Sequence, residues 1–162
     1  MALAAPACGS DGAGSPDAGY ECEETVADEG EPFVLRVGAD DGGEFVEVQD
    51  GDEVTLVRGS QGLYMILLEA RAVLDLPAAS DTVCLTCSAT MTSESGALDR
   101  AMPESGRTFY NVAGDDFESM VIIVLGDDLA SYTDVDGSLS FQCAGHGLSS
   151  SVVRAIRLGA PQ

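Results

Sequence analysis

The sequence predicts an all-β domain, an antiparallel Ig-like β-sandwich of about eight or nine strands. Two observations predict it. Apolar residues recur at period two along one short segment after another, and Gly/Asp turns punctuate those segments. Hydrophobic residues make up 45% of the 162, enough to build one domain around a real core.

The elements follow in order. Phe33, Leu35 and Val37 alternate with Val34 and Arg36; Val46 and Val48 precede the turn Asp50-Gly51-Asp52, and Val54 and Leu56 follow it. Leu63–Leu74 puts Tyr64, Ile66, Leu68, Ala70, Ala72 and Leu74 on one face and Glu69 and Arg71 on the other. A strand is favoured there over a helix because the alternation is unbroken. Val83, Leu85, Cys87, Ala89 and Met91 form an inward face, with Cys84, Thr86, Ser88, Thr90 and Thr92 outward. A short strand is expected over Arg107–Val112. Phe117–Leu125, apolar in both alternations from Met120 onward, reads as a central strand buried on both faces. Residues 127–137 read as a turn region, Leu139, Phe141 and Cys143 alternate again, and Val152–Leu158 is the last strand.

Charge excludes some functions. There are 28 acidic residues against 7 basic ones, a net charge of -21. Nucleic acid is therefore an expected non-partner, since phosphate binding needs a positive face. Anionic lipid head groups are disfavoured for the same reason. No window reaches the roughly 20 apolar residues that span a bilayer, so membrane association would need a lipid anchor.

The N-terminus suggests one. Met1–Cys8 reads M-A-L-A-A-P-A-C, small residues running into a cysteine, followed by Gly/Ser/Asp/Pro residues. This resembles the end of a bacterial lipoprotein signal and its tether, which implies lipidation of Cys8 and export to a periplasmic or cell-surface location. Residues 1–8 are then a signal remnant, 9–31 a flexible acidic tether, and 32–162 the sandwich domain. The chain has five cysteines, so a lipid on Cys8 leaves four to pair in an oxidising compartment. Strand alternation turns Cys87 and Cys143 inward and Cys84 outward, which predicts a core bridge Cys87–Cys143 and an outer bridge Cys22–Cys84.

The same residues offer other chemistry. Cys84-x-x-Cys87 with Cys143-x-x-His146 has zinc-ligand spacing and stands as the alternative to disulfides. Strand geometry opposes it, because residues three apart on a strand point to opposite faces. Asp134-Val135-Asp136-Gly137 begins like a calcium loop, which leaves Asp134 and Asp136 as alternative ligands, but Leu139 and Gly145 stand where that loop needs Gly and Glu. His146 is the one imidazole in the chain and sits in a Gly-flanked loop; blue copper needs two. No nucleophile–base pair is legible, so no catalytic residue and no cofactor are expected.

Glu44–Met65, E-F-V-E-V-Q-D-G-D-E-V-T-L-V-R-G-S-Q-G-L-Y-M, resembles a domain of secreted lipoproteins of myxobacteria and related delta-proteobacteria. Those carry an Asp-Gly-Asp turn between strands and a Gly-Pro-Gln-Gly-Gly-aromatic-His turn. Gly59, Gln61 and Gly62 match; Ser60 replaces Pro, and no His follows. The resemblance implies a β fold and an exported location, and no reaction. Within the turn, Gln61 is expected to satisfy backbone groups. The function expected is a non-enzymatic, surface-tethered role in binding or structure, with an extracellular or periplasmic protein or glycan as partner. A zinc- or calcium-binding exported module is the alternative.

Overall fold

A computed structural model describes residues 31–75 and 81–161. The fold is all-β: the described residues form ten strands and a single 3-10 turn, Leu129–Ser131. The strands are β1 (Val34–Asp41), β2 (Glu44–Glu47), β3 (Asp52–Val54), β4 (Val57–Arg58), β5 (Tyr64–Val73), β6 (Thr82–Thr92), β7 (Arg100–Ala113), β8 (Asp116–Gly126), β9 (Asp136–Gly145) and β10 (Leu148–Leu158). They hydrogen-bond in the order β2-β1-β5-β8-β7-β6-β9-β10-β3, with β4 against β5. Every pairing is antiparallel except β10 with β3.

This continuous ladder folds over on itself at two places. At the first, β7 and β8 pair only through Tyr110, Asn111 and Ala113 against Glu118, Phe117 and Asp116. Beyond that hairpin β7 pairs with β6 and β8 with β5. Pro103 has no N–H to donate, and the β6–β7 register shifts opposite it, between Cys87 and Ala89. Arginines span the opening instead: Arg107 Nη1 donates to the Met120 carbonyl (3.0 Å) and Arg100 Nε to the Leu125 carbonyl (2.9 Å). At the second place the chain passes from β2 to β3, the two ends of the strand order. There Arg154 of β10 donates from Nε to the Val48 carbonyl (2.8 Å) and from Nη2 to Glu47 (2.9 Å). The result is a sandwich of two halves, β1, β2, β4, β5 and β8 facing β3, β6, β7, β9 and β10.

The inward stripes of both halves meet in one core. Val37, Ile66, Leu68, Val121 and Ile123 come from the first half; Leu85, Met91, Phe109, Phe141 and Ile156 come from the second. The alternation expected for β5 and β6 holds residue by residue, from Ile66 to Leu74 and from Val83 to Met91.

Three expectations need correction. Arg107–Val112 is part of a much longer strand that begins at Arg100; Pro103, Gly106 and the register shift hid it. The last strand starts at Leu148, four residues before Val152. β8 is central in the ladder but not buried on both faces, since Met120, Ile122 and Val124 face solvent. Among the described residues no layer covers the outside of β8, so its second apolar alternation stays at their surface.

Candidate functional site

Cysteine chemistry is structural. Cys87 and Cys143 stand directly opposite one another on β6 and β9, with their Cα atoms 4.1 Å apart, and form a disulfide inside the core. The bridge exists because both residues fall on the inward alternation of adjacent strands at the same register, where opposed positions come closest. Cys84, on the outer face of β6, is also disulfide-bonded. Its expected partner Cys22 lies outside the described residues, as does Cys8. These bonds fit an oxidising, non-cytosolic compartment. No helix among the described residues is long and apolar enough to cross a membrane.

The alternative metal sites do not assemble. With Cys84, Cys87 and Cys143 oxidised, the set Cys84, Cys87, Cys143 and His146 has no thiolate to offer zinc. His146 is exposed in the β9–β10 turn, where it and Gly147 both adopt positive φ (54° and 73°), the geometry of a two-residue type I′ hairpin. The calcium pair is answered by a cation of the chain itself. Arg157 reaches Asp134 through Nη2 (3.4 Å) and Asp136 through Nη1 (3.8 Å). Among the described residues no three His, Cys, Asp or Glu side chains converge as metal ligands would.

The Gly59–Gly62 turn is closed by main chain alone. Gly62 N–H donates to the Gly59 carbonyl and Gly59 N–H to the Leu63 carbonyl, both at 2.9 Å. Gly62 takes the positive φ (83°) the turn requires. Gln61 is exposed and makes no side-chain hydrogen bond among the described residues, contrary to its expected role.

What the sequence did not single out is the outer face of β5 and β8. Residues paired across an antiparallel ladder share a face, so successive rungs can be followed outward from the hairpin. The first carries Val34, Val73 and Asp116, and the second carries Arg36, Arg71, Glu118 and Tyr110. The second is tied down: Arg71 donates to Glu118 (2.9 Å) and its guanidinium lies 4.4 Å from the ring centroid of Phe45, while Arg36 reaches Asp116 (3.5 Å). Phe45 can lie across β1 only because Gly38 has no side chain; a Cβ there would come within 2.5 Å of the ring. The next rung carries Gly38, Glu69 and Met120, then come Leu67 with Ile122 and Met65 with Val124. On these last three rungs the apolar groups stay largely uncovered by the described residues. Met120 is 60% exposed, Val124 47%, Ile122 42% and Leu67 37%.

This apolar ridge extends over two rung spacings, about 14 Å along the strands. Glu69 stands at its head with a pKa raised by partial burial and by the like charges of Glu118 and Asp40, against the opposing pull of Arg71. Along the β7 side, Arg107 has its Nη1 on the Met120 carbonyl and its Nη2 against the Met102 sulfur, and burial lowers its pKa. Two clefts of about 580 and 520 Å³ lie elsewhere, the first beside Thr92–Ser95 and the second beside Phe33, Asp75 and Leu148; neither contains a histidine or a free thiol.

The architecture defines the class, an all-β sandwich with a core disulfide. No protein-family model matches the chain, and no curated protein does. Among solved structures it is similar to the N-terminal domain of PorA, with 9% identity and a TM-score of 0.34 over 77% of this chain and 97% of that one. A likeness of that size says nothing about activity.

Proposed function

We propose that this protein is a non-enzymatic, exported domain, tethered to a membrane by a lipid on Cys8, that works by binding another exported molecule through the outer face of β5 and β8. The observation that carries the binding role is the ridge of Leu67, Met120, Ile122 and Val124, four adjacent apolar side chains exposed among the described residues, next to a rung held by ion pairs. Scattered exposed apolar residues mean little, whereas a contiguous group marks a contact surface. An aliphatic ridge suits a polypeptide better than a glycan, whose sugar rings stack on aromatic faces. The anchor is supported by the M-A-L-A-A-P-A-C pattern and by the fifth cysteine it accounts for. The resemblance of Glu44–Met65 to secreted lipoproteins agrees with it.

Two measurements test this reading. In a bacterium that exports lipoproteins, an alkyne fatty acid should label the protein, and Cys8→Ser should abolish the label and move the protein to the soluble fraction. Label that persists in Cys8→Ser overturns the anchor. A photo-crosslinking residue at position 122 should form adducts in the native envelope, whereas one at position 90, on the outer face of β6, should not. Absence of adducts from position 122 overturns binding through this face.

A further inference from the structure

The charges around the ridge indicate the chemistry of its partner. Carboxylates there are free to reach outward. Glu69 at the head of the ridge and Asp127, one residue beyond the end of β8, make no ion pair among the described residues. One nearby cation is exposed: Arg58, opposite Tyr64 at the Asp127 end of the ridge, has its guanidinium 6.0 Å from the Tyr64 ring centroid and makes no ion pair among the described residues. The other cations are engaged. Arg107 and Arg100 spend their guanidinium groups on main-chain carbonyls across the β7–β8 opening. Arg71 is held between Glu118 and the Phe45 ring.

We propose that the ridge receives a polypeptide segment with an apolar centre and Lys or Arg residues on its flanks, the apolar side chains lying on Leu67, Ile122 and Val124 and the cations meeting Glu69 and Asp127. This deepens the binding role argued above and rests on it. A cation at Glu69 would meet a carboxylate that Glu118 and Asp40 already crowd, and so would relieve repulsion present in the free protein. The net charge of -21 steers such a segment toward the domain from a distance. The same charge opposes a second copy of the chain as occupant. A two-fold axis through Ile122 would bring the Glu69 end of one copy against the Asp127 and Asp128 end of the other.

The test uses the full-length protein and three synthetic peptides of one length: alternating Leu and Lys, alternating Leu and Glu, and alternating Ser and Lys. Titrations are followed by fluorescence anisotropy and by methyl NMR shifts. The Leu/Lys peptide should bind with shifts centred on Leu67, Ile122 and Val124, and Ile122→Ser should weaken it by about tenfold or more. Glu69→Gln should weaken it less and should lower the salt dependence. The Leu/Glu and Ser/Lys peptides should bind far more weakly. Equal binding of Ser/Lys and Leu/Lys overturns the ridge as the contact, and equal binding of Leu/Glu overturns the charge preference. Light scattering that gives a dimer dispersed by Ile122→Ser makes the occupant a second copy. Partition onto zwitterionic vesicles that Ile122→Ser abolishes makes it a lipid surface. These results are separable from failure of the broader role: adducts from position 122 in the envelope with no preference for Leu/Lys would leave binding standing and remove only the partner chemistry.

Discussion

On the outside of β6 and β9 the exposed positions are Thr86, Ser88 and Thr90, opposite Ala144, Gln142 and Ser140. On the outside of β5 and β8 the corresponding positions are Met65, Leu67 and Glu69, opposite Val124, Ile122 and Met120. Both halves of the sandwich bury the same kind of inward stripe; the β6–β9 pair with the polar outer face carries the core disulfide, and the same half exposes Val153 on β10. Since β6 and β9 show that an outer face needs no apolar side chains for strands to pair, those of β5 and β8 are not explained by the pairing. That is the argument for a surface under functional demand, and it can be tested one half at a time.

The largest effect should come from the disulfide. Replacing Cys87 and Cys143 with Ala opens a loop of 56 residues' separation and should cost about 4 kcal/mol in denaturant melts. A loss below about 1 kcal/mol would mean that packing alone holds the polar half. Next come the cores. Ile66→Ala in the first half and Leu85→Ala in the second both truncate fully buried side chains, and each should cost about 3 kcal/mol. A large inequality would show that the halves do not share one core.

Arg107→Ala removes the bond to the Met120 carbonyl and should cost about 1 kcal/mol. The cost is small because its buried Nε has no hydrogen-bond partner among the described residues, so truncation also removes an unmet donor. Ile122→Ser, on the ridge, should change the stability of the isolated protein by no more than about 0.5 kcal/mol. A loss of about 2 kcal/mol there would mean that the ridge is packed in the free protein and is not a vacant contact surface.

Much of the two halves was legible in the sequence. Inward faces follow from alternation alone, so β5 and β6 could be placed residue by residue, and the Cys87–Cys143 bridge follows because both residues fall on inward positions. Three features were not legible, and each depends on contacts remote in sequence. β7 was read too short because Pro103 and Gly106 look like a break, whereas the strand continues through a register shift supported by β6. Arg154 closes the β2–β3 corner across 106 residues, and no local pattern announces that. The run Met120–Leu125 reads as buried on both sides because periodicity reports which residues share a face and not whether a second layer covers it.

The smallest effect is the one most specific to the ridge. Glu69 has its pKa raised, first by partial burial and then by Glu118 and Asp40, so the folded protein holds this proton more tightly than the unfolded chain does. For a carboxyl shifted in that direction, stability is undiminished below the ordinary value of 4.5, falls as pH rises through the window between that value and the raised one, and stays lower above it. Glu69→Gln cannot ionise. Its melting temperature should therefore match that of the parent at pH 4 and exceed it slightly at pH 7, with the difference opening between the two. A Glu69→Gln protein that is less stable at pH 7 would show that attraction to Arg71 outweighs the burial and repulsion at the head of the ridge. The carboxylate would then belong with the ion-paired end of the face, and the apolar strip would have no acidic group at that end to meet a cation.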